Sequence, residues 1–328
     1  MHKIILLWGS LLILFSSHAQ QLFQKKFQKM GSSFEITVVD SQEDRALEMI
    51  ALAIEEIDRI ERLISSWQLT SETTEINQNA GLKAVVVSKE LLELISRANI
   101  ISDLVYGNFD ISYASIDHLW NFNGKEVELP SEEILQKAVA KIGYKKIQID
   151  TDQQTVFLPQ KGMKIGFGAI GKGYAADRVK RLLISKGVKA GIVNASGDMS
   201  AWGKQPNGDP WQIGLVNPMN KNKVFSWFSL NENAVVTSGD YERYLTIAGK
   251  RYGHIINPKT GKPSQGVISC TVFAPKAELA DALATAIFVM GIDLGIDLIN
   301  KLPNIEALMI DDAGKIFTSK NIDLDETT

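Results

Sequence analysis

The spacing of apolar residues divides the chain into strands and helices from end to end. After an apolar run at Ile4 to Phe15, alternation predicts two strands, Leu22 to Lys29 and Ser33 to Val39, joined at Met30-Gly31-Ser32. Leu47, Ile50, Ile54, Ile57 and Ile64 recur at helical spacing and predict a long amphipathic helix capped by Ser41. A polar loop, Ser65 to Gly81, follows, with Trp67 as its only large aromatic; packing is that residue's default role and ligand stacking the alternative. A short strand at Ala84 to Val87 and a helix from Ser88 to Tyr106, stopped by Gly107, come next. A helix opened by Pro130-Ser131 closes near Gly143, and Ile147 to Ile149 with Thr155 to Leu158 read as a hairpin.

An apolar, strand-like run from Met163 to Phe167 then enters Gly166-Phe167-Gly168-Ala169-Ile170-Gly171-Lys172-Gly173-Tyr174. A helix leaves it, with Val179, Leu182 and Leu183 on one face and Gly187 as its stop. Glycines at a strand-to-helix turn let backbone N–H groups approach an anion, and Lys172 adds a cation, so the segment reads as a phosphate holder. Gly166, Gly168 and Gly171 satisfy the dinucleotide fingerprint, but no acidic residue ends a following strand where that fold needs one. Gly166 to Lys172 also matches a P-loop, yet Gly173 stands where a magnesium-binding Ser or Thr belongs.

Beyond it, Gly191 to Asn194, Trp211 to Val216, Val224 to Leu230, Ala234 to Thr237, Tyr244 to Ile247, Val267 to Ala274 and Glu306 to Ile310 are expected strands. Helices are expected over Glu278 to Met290 and from Asp293, and the tail from Asn321 is polar. No internal repeat or low-complexity linker interrupts the chain, which predicts one α+β unit with two lobes.

The 328 residues are 45% hydrophobic and 22% charged with a net charge of −3, a balance that favours a folded enzyme or ligand binder over a nucleic-acid partner. Lys3, the apolar run and Ser17-His18-Ala19 predict a signal peptide at 1–19, with residues 20–328 as the mature unit. No lipobox cysteine follows, so the expected address is exported and periplasmic, soluble or loosely membrane-associated. Cys270 is the only cysteine and is expected as a small buried hydrophobe.

Asp281 and Thr285 lie four apart on an expected helix, so both oxygens share a face, a hard-oxygen pair suited to Mg²⁺; taken alone, such a pair is unspecific and more often caps or faces the surface. His254 sits beside a strand end and a Pro-Gly turn, where an imidazole serves as a general base or simply as a structural group. Asp110 is placed to cap a turn.

Taken in order, several segments give the chain a recognisable pattern: Met30-Gly31-Ser32, Ser65-Ser66-Trp67, Phe109-Asp110, Leu119-Trp120-Asn121-Phe122 and Gly168 to Tyr174 with Asp177. The pattern continues through Asn194 to Asp198, Thr237 to Tyr241, His254 to Pro258, Thr260 to Pro263 and Ala280 to Ala286. With these the chain resembles the ApbE family of FAD:protein FMN transferases. The resemblance implies an α+β, two-lobed fold with FAD between the lobes. It further implies Mg-dependent transfer of FMN from FAD to a threonine or serine of an exported flavoprotein subunit, such as one of a membrane redox complex, with release of AMP.

Carried over, Met30, Trp67, Asn108, Phe109, Asp110, Lys172 and Ile255 are implied FAD contacts. Asp281 and Thr285 would ligate Mg²⁺ through side chains, and Ala169 and Ala284 through backbone oxygens. His254 is the implied base, and Lys172 with the glycine-turn amides would offset charge on the pyrophosphate. The chain departs from the family's usual Asp at Gly166, Gly-Gly at Ser196-Gly197 and Tyr at Trp67. Alternative readings are FAD hydrolysis by the same site, an exported FAD-binding or storage protein, and a nicotinamide dehydrogenase resting only on the glycine fingerprint.

Overall fold

The computed structural model describes residues 19–120, 122, 129–230, 232–241, 243–247 and 250–322. The apolar run of the expected signal peptide, Asn121 and the end of the polar tail (323–328) lie outside these residues.

Strands β1 (Gln21–Lys29) and β2 (Ser32–Asp40) form a hairpin whose two-residue turn is Met30-Gly31. Both turn residues have positive φ, 51° and 67°, the primed turn that matches strand twist. A methionine in that region is uncommon, and its cost is tolerated where the residue has another use.

Helix α1 (Glu43–Ile64) buries Ala46, Ala53, Ile57, Ile60 and Ile64 against the sheet. That stripe is centred on Ala46, so Leu47, one residue and about 100° further round, falls outside it and is exposed, contrary to expectation. Nor does Ser41 cap the helix: Asp40 Oδ1 instead accepts the amides of Ser41 (2.7 Å) and Gln42 (3.1 Å). The expected polar loop contains a short helix, α2 (Glu72–Gln78), capped by Ser71 through Thr74 N (3.0 Å). The polarity of the stretch conceals a helix of two turns that is anchored by its cap.

Next come β3 (Val85–Val86) and α3 (Lys89–Leu104). A 3-10 helix (Ile111–Leu119) and α4 (Glu132–Val139) follow, then β4 (Gln148–Asp150) and β5 (Thr155–Phe157). The run at Met163 to Phe167 forms no strand. Its backbone pairs with a side chain: Asn77 Nδ2 donates to Ile165 O (2.9 Å) and Ile165 N donates to Asn77 Oδ1 (2.8 Å).

Helix α5 (Gly171–Ser185) is followed by β6 (Gly191–Ala195) and β7 (Asp198–Trp202), another hairpin with a two-residue turn. Ser196 takes φ 59° there, where the glycine usual in the family would meet no strain. A further hairpin, β8 (Trp211–Asn217) with β9 (Asn220–Leu230), precedes β10 (Ala234–Gly239). The remainder is β11 (Tyr244–Ile247), β12 (Lys250–Gly253), β13 (Val267–Ala274), α6 (Ala277–Met290), α7 (Ile292–Ile299), β14 (Glu306–Asp311) and β15 (Ile316–Thr318).

Among the described residues, the main sheet has eight strands in the order β1-β2-β6-β7-β10-β13-β14-β15. Every strand pairing among the described residues is antiparallel, so the glycine fingerprint sits outside any parallel dinucleotide-binding unit. Helices α1, α5 and α6 cover one face, and residues of β8 and β9, Trp211, Ile213 and Leu230, pack on the other. A smaller lobe gathers the 3-10 helix, α4 and the β11–β12 hairpin around Ile116, Trp120, Leu135 and Leu245. Trp120 Nε1 donates to Gly261 O (2.8 Å), which fixes the 260–263 turn to that lobe. The fold is α+β.

Candidate active site

A cleft of about 360 Å³ opens between the large core and the small lobe. Met30, Trp67, Asn108, Phe109 and Asp110 line it, as do Ala169, Lys172, His254, Ile255, Asp281 and Thr285. Segments separated by more than two hundred residues thus meet on one surface. Ala284 does not line the cleft; its residue is wholly buried in α6.

The wall near the first hairpin carries Met30 from its strained turn and Trp67 from the loop after α1. Trp67 is 63% exposed, so it is a rim aromatic and not the packing anchor that a loop tryptophan suggests by default. Asp110 is committed locally. Its Oδ1 accepts Ser112 N (2.8 Å) and Ser112 Oγ (2.6 Å), and its Oδ2 accepts Tyr144 N (2.8 Å). Burial pushes this carboxyl up from the usual carboxylate range while those hydrogen bonds pull it down. Asn108 Nδ2 similarly donates to Val105 O (2.8 Å). Both residues shape the start of the 3-10 helix.

The glycine-rich loop is used differently from a phosphate cradle. Gly171 N donates to Phe167 O (2.6 Å), and Gly173 N to the Asp281 carboxylate (3.1 Å). The anion at the start of α5 is therefore the protein's own Asp281, which takes up the amide a ligand phosphate would use. A Cβ at Gly173 would lie 2.2 Å from Ala277 O, so glycine is there for the α5–α6 crossing. At Gly168 a Cβ would come 2.7 Å from Tyr113 Oη.

Lys172 remains as the loop's charge. Its Nζ forms an ion pair with Asp198, which is wholly buried, while Lys172 keeps 24% of its side chain exposed. Burial pushes the Asp198 carboxyl up, and the Lys172 ammonium opposes that shift.

Helix α6 is buried nearly all round, with Ala280, Leu283, Ala284 and Ile287 wholly inaccessible, and Asp281 and Thr285 are the pair it turns to the cleft. Thr285 Oγ1 lies 3.4 Å from Ser238 Oγ of β10.

His254 follows β12. Its Nδ1 lies 3.2 Å from Arg243 O, and its backbone N donates to the same oxygen (3.0 Å). A carbonyl only accepts, so Nδ1 carries the proton and Nε2 holds the lone pair. Burial holds the imidazole below its ordinary value near 6.5; the Arg243 carbonyl raises it, and the charges of Arg243 and Lys172 lower it again. The ring is thus neutral at neutral pH.

Sequence reasoning missed Tyr113, Ser238 and Arg243 in the cleft. Burial and the charges of Asp117 and Asp281 push the Tyr113 phenol up to about 12, which keeps it a hydrogen-bond donor. Ser238 lies within the Thr237-to-Tyr241 segment and Arg243 two residues past it, so proximity to that motif was their one signal.

With this arrangement in view, the comparisons with known proteins agree. The family model described as the ApbE family matches residues 30–309. The chain belongs to the ApbE family. Among ApbE relatives, the FAD:protein FMN transferase of Treponema pallidum is 32% identical, over 76% of this chain and 73% of its own. One from Klebsiella pneumoniae is 28% identical, over 80% of this chain and 77% of its own. Among solved structures, the ApbE protein of Thermotoga maritima has a TM-score of 0.85 at 34% identity, covering 92% of this chain and 97% of that one. The apo flavinyl transferase ApbE of Pseudomonas stutzeri has a TM-score of 0.82 at 26% identity, covering 92% and 96%.

Proposed function

We propose that this ApbE chain transfers the FMN half of FAD to a threonine or serine hydroxyl of an exported flavoprotein and releases AMP. The mature unit, residues 20–328, would act in the periplasm after loss of the signal peptide at 1–19. The observation that carries the reading is the convergence of a neutral histidine, a lysine and a carboxylate–hydroxyl pair on one cleft rimmed by an exposed tryptophan. The names of the relatives support the flavin chemistry.

The reaction needs the acceptor hydroxyl to attack the FMN phosphorus while the pyrophosphate bond to AMP breaks. His254 Nε2 takes the hydroxyl proton as the new P–O bond forms, and AMP leaves with the electron pair of the old one. Lys172 at the cleft wall offsets charge on the pyrophosphate oxygens. Trp67 and Met30 offer apolar surface to the isoalloxazine ring.

Magnesium fits the residues present. No group of three or more His, Cys, Asp or Glu gathers among the described residues, so a site here is built on one carboxylate. That suits Mg²⁺, which takes one or two carboxylates together with substrate phosphates. Asp281, 3% exposed on the cleft face of α6, and Thr285 would hold it, with the Ala169 carbonyl as a further donor. When bound, the ion neutralises charge on the pyrophosphate.

The test incubates the purified protein with FAD, Mg²⁺ and candidate acceptor segments from exported flavoproteins. Mass spectrometry of the acceptor is expected to show one added FMN, with AMP in equal amount. AMP released with no modified acceptor across the panel would replace transfer by FAD hydrolysis. Tight FAD binding with neither product would leave a storage protein.

A further inference from the structure

The Asn194-to-Asp198 segment is part of the family pattern, yet the reading above gives Asp198 no task. Asp198 opens β7 directly after the Ser196-Gly197 turn and is wholly buried. One carboxylate oxygen, Oδ2, meets Lys172 Nζ; the other, Oδ1, is buried with no hydrogen-bond partner among the described residues. A half-satisfied buried ion pair is a poor source of stability, since apolar residues of the same volume do as well or better. Its persistence here calls for another use, and its cation lies on the cleft wall.

We propose that Asp198 is a positioning residue that holds the Lys172 ammonium at the cleft wall, ready for the pyrophosphate of FAD. The proposal rests on the transferase reading of the cleft. A long, flexible lysine side chain loses much rotamer freedom when its ammonium is fixed. An ammonium already held by a carboxylate gives up less of that freedom when phosphate arrives. An ammonium also has three donors, so one can stay on Asp198 while another turns to the ligand. The carboxylate sits behind Lys172 and is closed to solvent, so it orients the cation without facing the phosphate.

The test compares FAD with riboflavin, which has the same ring and no phosphate, by flavin fluorescence titration. Asp198→Asn keeps the shape and removes the charge. It is expected to weaken FAD about tenfold and leave riboflavin unchanged. In a Lys172→Met background the same substitution is expected to add nothing to the loss, because its effect passes through that lysine. Equal loss for both ligands, or additive losses, would assign Asp198 to structure alone. If Asp198→Asn does not fold, the parent protein still decides the matter. Its Lys172 ammonium should give a slowly exchanging NMR signal at neutral pH without ligand, one that FAD shifts and riboflavin does not; a fast-exchanging ammonium overturns the proposal. Failure of the parent to bind FAD is a separate outcome that counts against the transferase reading.

Discussion

Asp177 of α5 and Asp281 of α6 each hold the first turn of the other's helix. Asp177 Oδ1 accepts Ala277 N (3.0 Å) and Ser200 Oγ (3.1 Å), and its Oδ2 accepts Glu278 N (3.0 Å). In return Asp281 Oδ2 accepts Gly173 N (3.1 Å). Two helices that carry no cap residue of their own therefore cap one another. The exchange fixes the N-termini side by side, and so sets Lys172 and Asp281 on the same wall of the cleft.

The close crossing has a direct consequence at Gly173. Gly173→Ser completes the P-loop pattern in sequence, but its Cβ would press on Ala277 backbone at 2.2 Å. Backbone cannot swing aside as a side chain does. The variant is expected to lose about 2–3 kcal/mol of stability through this overpacking and to acquire no affinity for ATP, read by urea unfolding and by nucleotide titration. A stable variant that binds ATP would disprove the account of this glycine.

Because Asp281 serves both helix and cleft, its substitution has to separate the two. Asp281→Asn leaves a side-chain oxygen for Gly173 N while removing the charge. The expected outcome is an unfolding midpoint near the parent's, with transfer activity lost and no response to added Mg²⁺. Parental transfer in limiting Mg²⁺ would place the metal elsewhere.

The same region shows what could be read from sequence. The strands β1, β2, β6, β8 to β11, β13 and β14 and helices α1 and α3 to α7 follow from period, apolar runs and punctuation. Leu47 and the Met163–Phe167 run misled for opposite reasons. Leu47 lies beside the buried stripe of α1, and the 163–167 backbone finds its partner in the side chain of Asn77. Strand β12 (Lys250–Gly253) has no apolar alternation to show, and β15 (Ile316–Thr318) is too short to show one. At the site, the residues that meet were visible as motifs, but their partners were not. Nothing local in Lys172 or Gly173 announces Asp198 or Asp281, which lie 26 and 108 residues away.

Arg243 links the cleft's charge to His254. Its side chain donates to Gly31 O (3.3 Å), and its positive charge helps hold His254 below the ordinary value. Removing that charge favours the imidazolium, so Arg243→Ala is expected to raise the His254 pKa. The acid limb of the transfer rate, which marks protonation of the base, should then move to higher pH. The backbone carbonyl that orients the ring survives the substitution. An unmoved or lowered limb in a rate–pH profile would contradict the electrostatic link.

His254 itself carries the last prediction. A threonine hydroxyl is a weak nucleophile until a base takes its proton, and a positioned base contributes about 10²- to 10⁴-fold. His254 lines the cleft with Nδ1 directed to Arg243 O, and burial keeps it neutral. The parent's transfer rate should therefore rise with pH through a midpoint below the ordinary histidine value and stay level above it, since the base is lost only on protonation. His254→Ala removes the base and leaves Lys172, Asp281 and Thr285 in place. FAD affinity is expected to stay within a few-fold, while modification of the acceptor falls by the factor above and its acid limb disappears. Riboflavin and FAD titrations, beside mass spectrometry of the acceptor, separate binding from chemistry. Acceptor modified at the parent rate, or an acid limb that persists in the alanine variant, would assign the proton to another group.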